Sequence, residues 1–156
     1  MEPIIPTLIA LGVLLGNKTL EKAGEKVVEA AWQQGSKVKS LLVGKSPEKF
    51  KALEAAVEDP EDIGVAVLEA VAKEVESDGE LRQELEILGQ RVKEAAQENQ
   101  VFKKQLGVLN KRLQAQAAKE NRPKLAESIG VYQQKIEGGQ YNNSGPGSFT
   151  VNNNNY

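Results

Sequence analysis

The chain has 156 residues, a formal net charge of -2, and neither cysteine nor histidine. Disulfides and thiolate chemistry are therefore excluded, and the commonest general base and commonest zinc ligand are missing together. Alanine, leucine, valine, glutamate, lysine and glutamine dominate, which predicts an all-α fold. We predict no catalytic residue, no cofactor and no metal site, and therefore a protein that is not an enzyme.

Charge is distributed unevenly along the chain. Residues 1–45 carry a net charge of +2, residues 46–100 carry -9, and residues 101–125 carry +6. This asymmetry favours head-to-tail or antiparallel attraction between chains, and nucleic acid binding by the basic block is the rival interpretation. Only Phe102 interleaves aromatically with the basic residues, so nucleic acid is the less favoured partner.

The first predicted element is an apolar helix over residues 3–16, which contain no charge. A helix that is apolar all round is buried or lies in lipid, and at about 21 Å this one is too short to span about 30 Å of hydrocarbon. A signal peptide needs a basic residue before its apolar run, and this chain has Glu2 there, so the segment is a poor signal peptide. We expect a central core helix at rest, with these candidate membrane-contacting residues: Ile4, Ile5, Leu8, Ile9, Leu11, Val13, Leu14 and Leu15.

Three further helices are expected before residue 77. The second runs from Lys18 to about Val43, with Gly24 and Gly35 as close-approach points, and the third runs from Pro47 to about Glu58. The acidic cluster at 59–62 is explained by Asp59 capping a fourth helix that continues to Glu76 and buries Ile63. These elements form a predicted bundle over residues 1–77.

The dominant pattern is a seven-residue repeat between Asp78, a good N-cap, and Glu120. Its length, without a proline, predicts one helix of about 64 Å, which needs a partner beyond the bundle. That partner is another copy of the chain or the segment after Pro123 folding back. The candidate oligomerisation residues in this seam, which begins at Leu81 and includes Ala95, are Leu85, Leu88, Val92, Asn99, Phe102, Leu106, Leu109 and Leu113.

Asn99 is the polar exception in the seam. A lone asparagine at such a position pairs with its own copy and specifies register at a cost in stability. Because it also separates an acidic from a basic half, we expect antiparallel pairing if the helix self-associates. Replacing Asn99 with leucine is then expected to raise stability and loosen the oligomeric state.

The composition changes after the coiled-coil-like region, predicted over 78–137 and including a short helix over 124–136. Residues 138–156 are uncharged and rich in Asn and Gly, so we expect disorder in the monomer. The same composition favours stacked β assembly, with a plain flexible tail as the alternative. The residues of this amyloid-like tail are Tyr141, Asn142, Asn143, Phe149, Val151, Asn152 and Asn153.

The order of several segments in residues 1–95 resembles bacterial Bell domains, which are analogues of the fungal HeLo and HeLo-like helical domains. The segments are Met1-Glu2-Pro3 with its apolar run, Lys22-Ala23-Gly24-Glu25-Lys26, Ala30-Ala31-Trp32, Ala52-Leu53-Glu54-Ala55-Ala56, Asp59-Pro60, and Asp78-Gly79-Glu80-Leu81-Arg82-Gln83-Glu84-Leu85. The chain departs from the family in its long heptad helix and in its short tail, which carries Pro146 and one strand-like triplet.

The resemblance implies a membrane-targeting effector of regulated cell death, activated by assembly through the tail. It also implies a receptor with a matching Asn/Gly motif, membrane lipids as conditional partners, homo-oligomers, and movement from the cytoplasm to the inner face of the membrane. The alternative is a structural coiled-coil oligomerisation protein without membrane activity.

Overall fold

The computed structural model describes residues 4–138 and confirms the all-α class. The tail residues from 139 onwards, and with them the expected disorder and the amyloid-like positions, lie outside the described part. A short 3₁₀ turn, Lys18–Lys22, follows the first helix. The α-helices are α1 Ile4–Gly16, α2 Lys26–Lys45, α3 Pro47–Glu58, α4 Pro60–Ile63, α5 Ala66–Glu76, α6 Gly79–Glu98, α7 Gln100–Lys119 and α8 Pro123–Gly138.

Helix α1 lies at the centre of the bundle, as expected for a helix without charge. It contacts α2, α3, α5, α6, α7 and α8. Its residues from Pro6 to Leu11, and Leu14, are buried. Two glycines let neighbouring helices approach: a Cβ at Gly35 of α2 would lie 2.9 Å from Leu14 Cδ2, and one at Gly12 would lie 2.7 Å from Val57 Cγ2 of α3.

The prediction of one helix from Asp78 to Glu120 is wrong, because the chain breaks at Asn99. This residue is extended (φ -125°, ψ 106°), ending α6 and starting α7. Its Oδ1 accepts a hydrogen bond from the Phe102 backbone N–H at 2.9 Å, and its Nδ2 donates to Glu25 Oε1 at 3.1 Å. Asn99 is therefore a helix cap in this structure.

The apolar seam is buried on both sides of this break. α6 packs mainly on α2, and α7 packs mainly on α8, which returns antiparallel after a turn at residues 120–122. A buried amide pair joins the last two helices, where Asn110 Nδ2 donates to Gln133 Oε1 at 2.7 Å. The segment after Pro123 thus folds back, which was one of the two expected partners.

Two other helices are shorter than predicted because glycines interrupt them. Gly24 (φ 84°) separates the 3₁₀ turn from α2, and Gly64 (φ 86°) separates α4 from α5. Ile63, expected in the core, is 46% exposed at the end of α4. At this second break the Glu120 carboxylate accepts hydrogen bonds from the Val65 N–H at 3.2 and 3.3 Å, which caps the start of α5.

Several local predictions are confirmed. Asp78 accepts hydrogen bonds from the N–H groups of Glu80 and Leu81, and Asp59 accepts one from Asp62. Ser46 occupies the N-cap position of α3, but its side chain makes no capping hydrogen bond. One hydrophobic cluster extends from Leu8 to Ile136, on both sides of the boundary predicted at residue 77.

The cap at Asn99 reverses the stability expected of Asn99→Leu. Leucine cannot accept the Phe102 N–H bond, so we predict a loss of about 1 kcal/mol in the free energy of unfolding. Urea denaturation followed by circular dichroism measures it. Asn99→Ser, which keeps an acceptor oxygen, is the control expected to lose less, and a gain in stability for Asn99→Leu would contradict the capping role.

The contact between α1 and α3 predicts different effects at two glycines of α1. Gly12→Ala places a methyl against both γ-carbons of Val57, whose branched side chain has little freedom to turn away, and should destabilise by about 1–3 kcal/mol. Gly16→Ala meets no atom within 4 Å and is the matched control. Equal thermal midpoints for the two variants would show that α1 is not held this closely.

Candidate functional site

The predicted membrane-contacting residues divide into a buried and a partly buried group. Leu8, Ile9, Leu11 and Leu14 are fully buried. The partly buried members, Ile4, Ile5, Val13 and Leu15, pack at the edge of the core. In this conformation half of the set is withdrawn from solvent, and the other half is only partly accessible.

The predicted oligomerisation residues are also inside the chain. Leu85, Leu88, Val92, Phe102, Leu106, Leu109 and Leu113 are buried, and Asn99 is partly buried. A second chain cannot reach this seam without rearrangement of the bundle. Assembly through the seam stays a prediction for a rearranged chain, and the antiparallel dimer built on Asn99 is not needed to cover it.

The structure reveals an exposed surface on the side of α7 opposite the heptad seam, which the heptad pattern did not predict. Residues spaced three and four apart give α7 an exposed strip that we call the outer face. It contains Val101, Lys104, Gln105, Val108, Lys111, Arg112, Ala115 and Lys119. Val101 and Val108 are 62% and 55% exposed, and the helix contains five basic and no acidic residues.

A groove opens beside this face and reaches α1. This α1 groove, of about 730 Å³, lies between α1, α3 and α7. Its apolar lining comes from Gly12, Val13, Val57, Val101, Val108 and Leu109, with Glu58, Lys104 and Arg112 among the polar residues that line it. At its α1 end, Asn17 Nδ2 donates to Gln105 Oε1 at 2.9 Å, which ties the end of α1 to α7. The groove is the place where the charge-free helix approaches solvent.

One cation of the outer face is paired and others are not. Arg112 donates to both carboxylate oxygens of Glu61, from Nη2 at 2.6 Å and from Nε at 3.1 Å, and so ties α7 to α4. This bond holds the pKa of Glu61 below its ordinary value. Lys104 and Lys111 make no ion pair with any residue between 4 and 138. Their charges remain available to an anionic surface.

Two of the three acids in the cluster at residues 59–62 have structural roles. Asp59 caps α4, and Glu61 binds Arg112. Among residues 4–138, no three His, Cys, Asp or Glu side chains are grouped to hold a metal ion. None of the helices in that range has both the length and the apolar content to cross a bilayer.

The outer face could have been found in the sequence from the absence of acids in residues 100–119 combined with valines seven residues apart. The heptad seam masked this signal, because it assigned the apolar character of the helix to the opposite side. The α1 groove had no signal in the sequence, since it is made by three helices far apart in the chain.

Comparisons with protein-family models, with curated proteins and with solved structures give no match for this chain.

The ion pairs predict acid-sensitive stability. The pKa of Glu61 is lowered by Arg112, that of Asp78 by Lys45, and that of Glu84 by its hydrogen bond from Gln34. A carboxyl with a lowered folded-state pKa stabilises fully above its unfolded value and loses this contribution as pH falls through the folded value. We therefore expect the thermal midpoint to decline below about pH 4.5, the ordinary glutamate value.

The variant Glu61→Gln distinguishes the contribution of the Glu61–Arg112 ion pair from the general destabilisation by acid. Its thermal midpoint should be lower than that of wild type at pH 7, and the two should converge as the pH falls through the lowered folded-state pKa of Glu61. Glu54→Gln, an exposed site on α3 with the same change of charge, should follow the wild-type profile. Parallel profiles for Glu61→Gln and wild type would show that the pair does not stabilise the fold.

Proposed function

We propose that this protein is a membrane-acting effector, as the Bell-domain resemblance implies, in which the apolar α1 is held in the core until assembly releases it. The observation that supports it most is the placement of α1. A charge-free helix occupies the centre of the bundle, and one flank faces a groove beside an exposed surface of valines and unpaired lysines.

The outer face of α7 suits the first contact with a bilayer. Exposed valines between lysines let apolar side chains enter the interface while the ammonium groups meet anionic headgroups. Each lysine near an anionic surface contributes about 1 kcal/mol to binding. The α1 groove lies beside this face, so lipid that meets Val101 and Val108 also lies next to α1.

Release of α1 is a transfer between two apolar environments. Leu8, Ile9, Leu11 and Leu14 are each stabilised by burial by about 1.5–3 kcal/mol relative to water, and the hydrocarbon of a bilayer restores that contribution. The free-energy cost of releasing α1 therefore comes mainly from the contacts that the remaining helices lose. They lose their central partner, and the heptad seam of α6 and α7 becomes available to other copies of the chain.

Under this proposal activation begins with assembly of the tail on a receptor with a matching Asn/Gly motif. The protein then moves from the cytoplasm to the inner face of the membrane, where it acts without catalysis. A cell-death outcome comes from the family resemblance alone.

A disulfide that locks α1 to α3 tests the release step. The chain has no cysteine, and a Cβ built at Gly12 lies 3.1 Å from Val57 Cβ, somewhat shorter than the usual 3.5–4.5 Å of a disulfide. The Gly12→Cys/Val57→Cys protein is assembled through its tail and added to dye-loaded phosphatidylglycerol/phosphatidylethanolamine vesicles. We expect leakage from the reduced form, at least tenfold slower leakage from the oxidised form, and recovery on adding dithiothreitol.

The controls address oxidation and charge. Val57→Cys alone should leak equally with and without oxidant. Lys104→Glu/Lys111→Glu should weaken vesicle binding about tenfold or more. Lys51→Glu/Lys73→Glu makes the same charge change on α3 and α5 and should weaken it less. Equal leakage from the oxidised and reduced lock, or no leakage from any assembled form, would overturn the proposal.

A further inference from the structure

The α1 groove is an apolar surface that no described residue covers. Val101 and Val108, on its margin, are the two most exposed large apolar side chains between residues 4 and 138. Its volume of about 730 Å³ falls within the usual range of ligand pockets, about 300–1,000 Å³. An apolar groove of this size next to a charge-free helix calls for a specific occupant.

The end of α8, from which the tail departs, lies close to this groove. α7 and α8 are antiparallel, with Asn110 opposite Gln133 and Gly130 against Gln114. Glu137, one residue before the end of α8, lines a second groove together with Lys104 and Val108. Because Lys104 and Val108 also line the α1 groove, only the outer face of α7 separates the start of the tail from it.

The tail is long enough to cross α7 and has suitable chemistry. Crossing a helix of about 10 Å takes about three extended residues at roughly 3.3 Å each, and Phe149 is eleven residues beyond Gly138. In an extended segment, Phe149 and Val151 project from the same side. Residues 139–156 carry no charge, so no like-charge repulsion opposes entry into a groove that has Glu58 as well as Lys104 and Arg112 in its lining.

We propose that residues 148–152 dock in the α1 groove of their own chain, with Phe149 and Val151 as the apolar anchors between Val13 and Val108. This contact covers the exposed flank of α1 and part of the outer face of α7. Assembly of the tail into a stack withdraws the segment and uncovers both. The contact itself stands apart from membrane action, whereas its regulatory meaning rests on the proposed function.

Disulfide cross-linking in the full-length chain tests the contact. The pair Val101→Cys/Asn153→Cys joins the groove margin to the tail, and Val131→Cys/Asn153→Cys joins the tail to an exposed valine of α8 outside both grooves. Val131 is only about 10 Å along the helix from Gly138, so an undocked tail reaches it readily. The effective concentration of each thiol pair is measured in glutathione buffers with dilute protein and without membranes.

We expect an effective concentration at least tenfold higher for the Val101 pair than for the Val131 pair. Adding Phe149→Ser/Val151→Ser should bring the ratio to about one. A ratio within twofold in the parent background would overturn the proposal. Cross-links that form between chains and increase with protein concentration would assign the groove to a second copy and overturn it as well.

This test and the vesicle test fail independently. If the effective concentrations of the two thiol pairs are equal and the disulfide lock still slows leakage, the docked tail is contradicted and membrane action is retained. If the Val101 pair has the higher effective concentration but no assembled form causes leakage, membrane action is contradicted and the docked tail is retained.

Discussion

Burial of α1 is the constraint on which the rest of this structure depends. A helix without charge must be covered around its whole circumference, and no single neighbour can do so. Six other helices share the task, and Gly12 and Gly35 allow α3 and α2 to approach closely enough. The apolar seam of α6 and α7 packs mainly against α1, α2 and α8. The same requirement makes the bundle one unit, since removing α1 would leave every neighbour with an unfilled face.

The break at Asn99 follows from this constraint. A continuous helix of about 64 Å would extend beyond the bundle and leave Phe102, Leu106, Leu109 and Leu113 in water. Burying these side chains is worth about 1.5–3 kcal/mol each. Interrupting the helix costs backbone hydrogen bonds, but the side-chain Oδ1 of Asn99 accepts the Phe102 N–H and caps α7, and its Nδ2 donates to Glu25. Burial therefore outweighs helix continuity, and the polar position in the seam is where the chain turns.

The same fold separates the charges of the surface. Folding α7 inward turns its basic residues outward as a strip with no acidic residue of its own, and Arg112 is tied to Glu61 of α4. The groove at the edge of this strip is left by three helices that do not close completely around the second half of α1. The proposed function therefore uses the α1 groove, where the neighbouring helices leave α1 incompletely covered.

Local chemistry made much of the helical framework predictable from the sequence. The caps at Asp59 and Asp78, the start of α3 at Pro47 and the core position of α1 depend on neighbouring residues, and these predictions are confirmed. The breaks at Gly24, Gly64 and Asn99 were missed because each residue is tolerated inside a helix pattern until the packing of distant helices favours a turn.

The sequence by itself therefore determined which segments are helical and which of their faces are apolar, because both properties arise from residues three and four positions apart. Only the tertiary structure decided what covers each face. The heptad pattern is the same whether its partner is a second chain or α1, α2 and α8. The α1 groove combines Gly12, Val57 and Val108, and residues this distant meet only after folding.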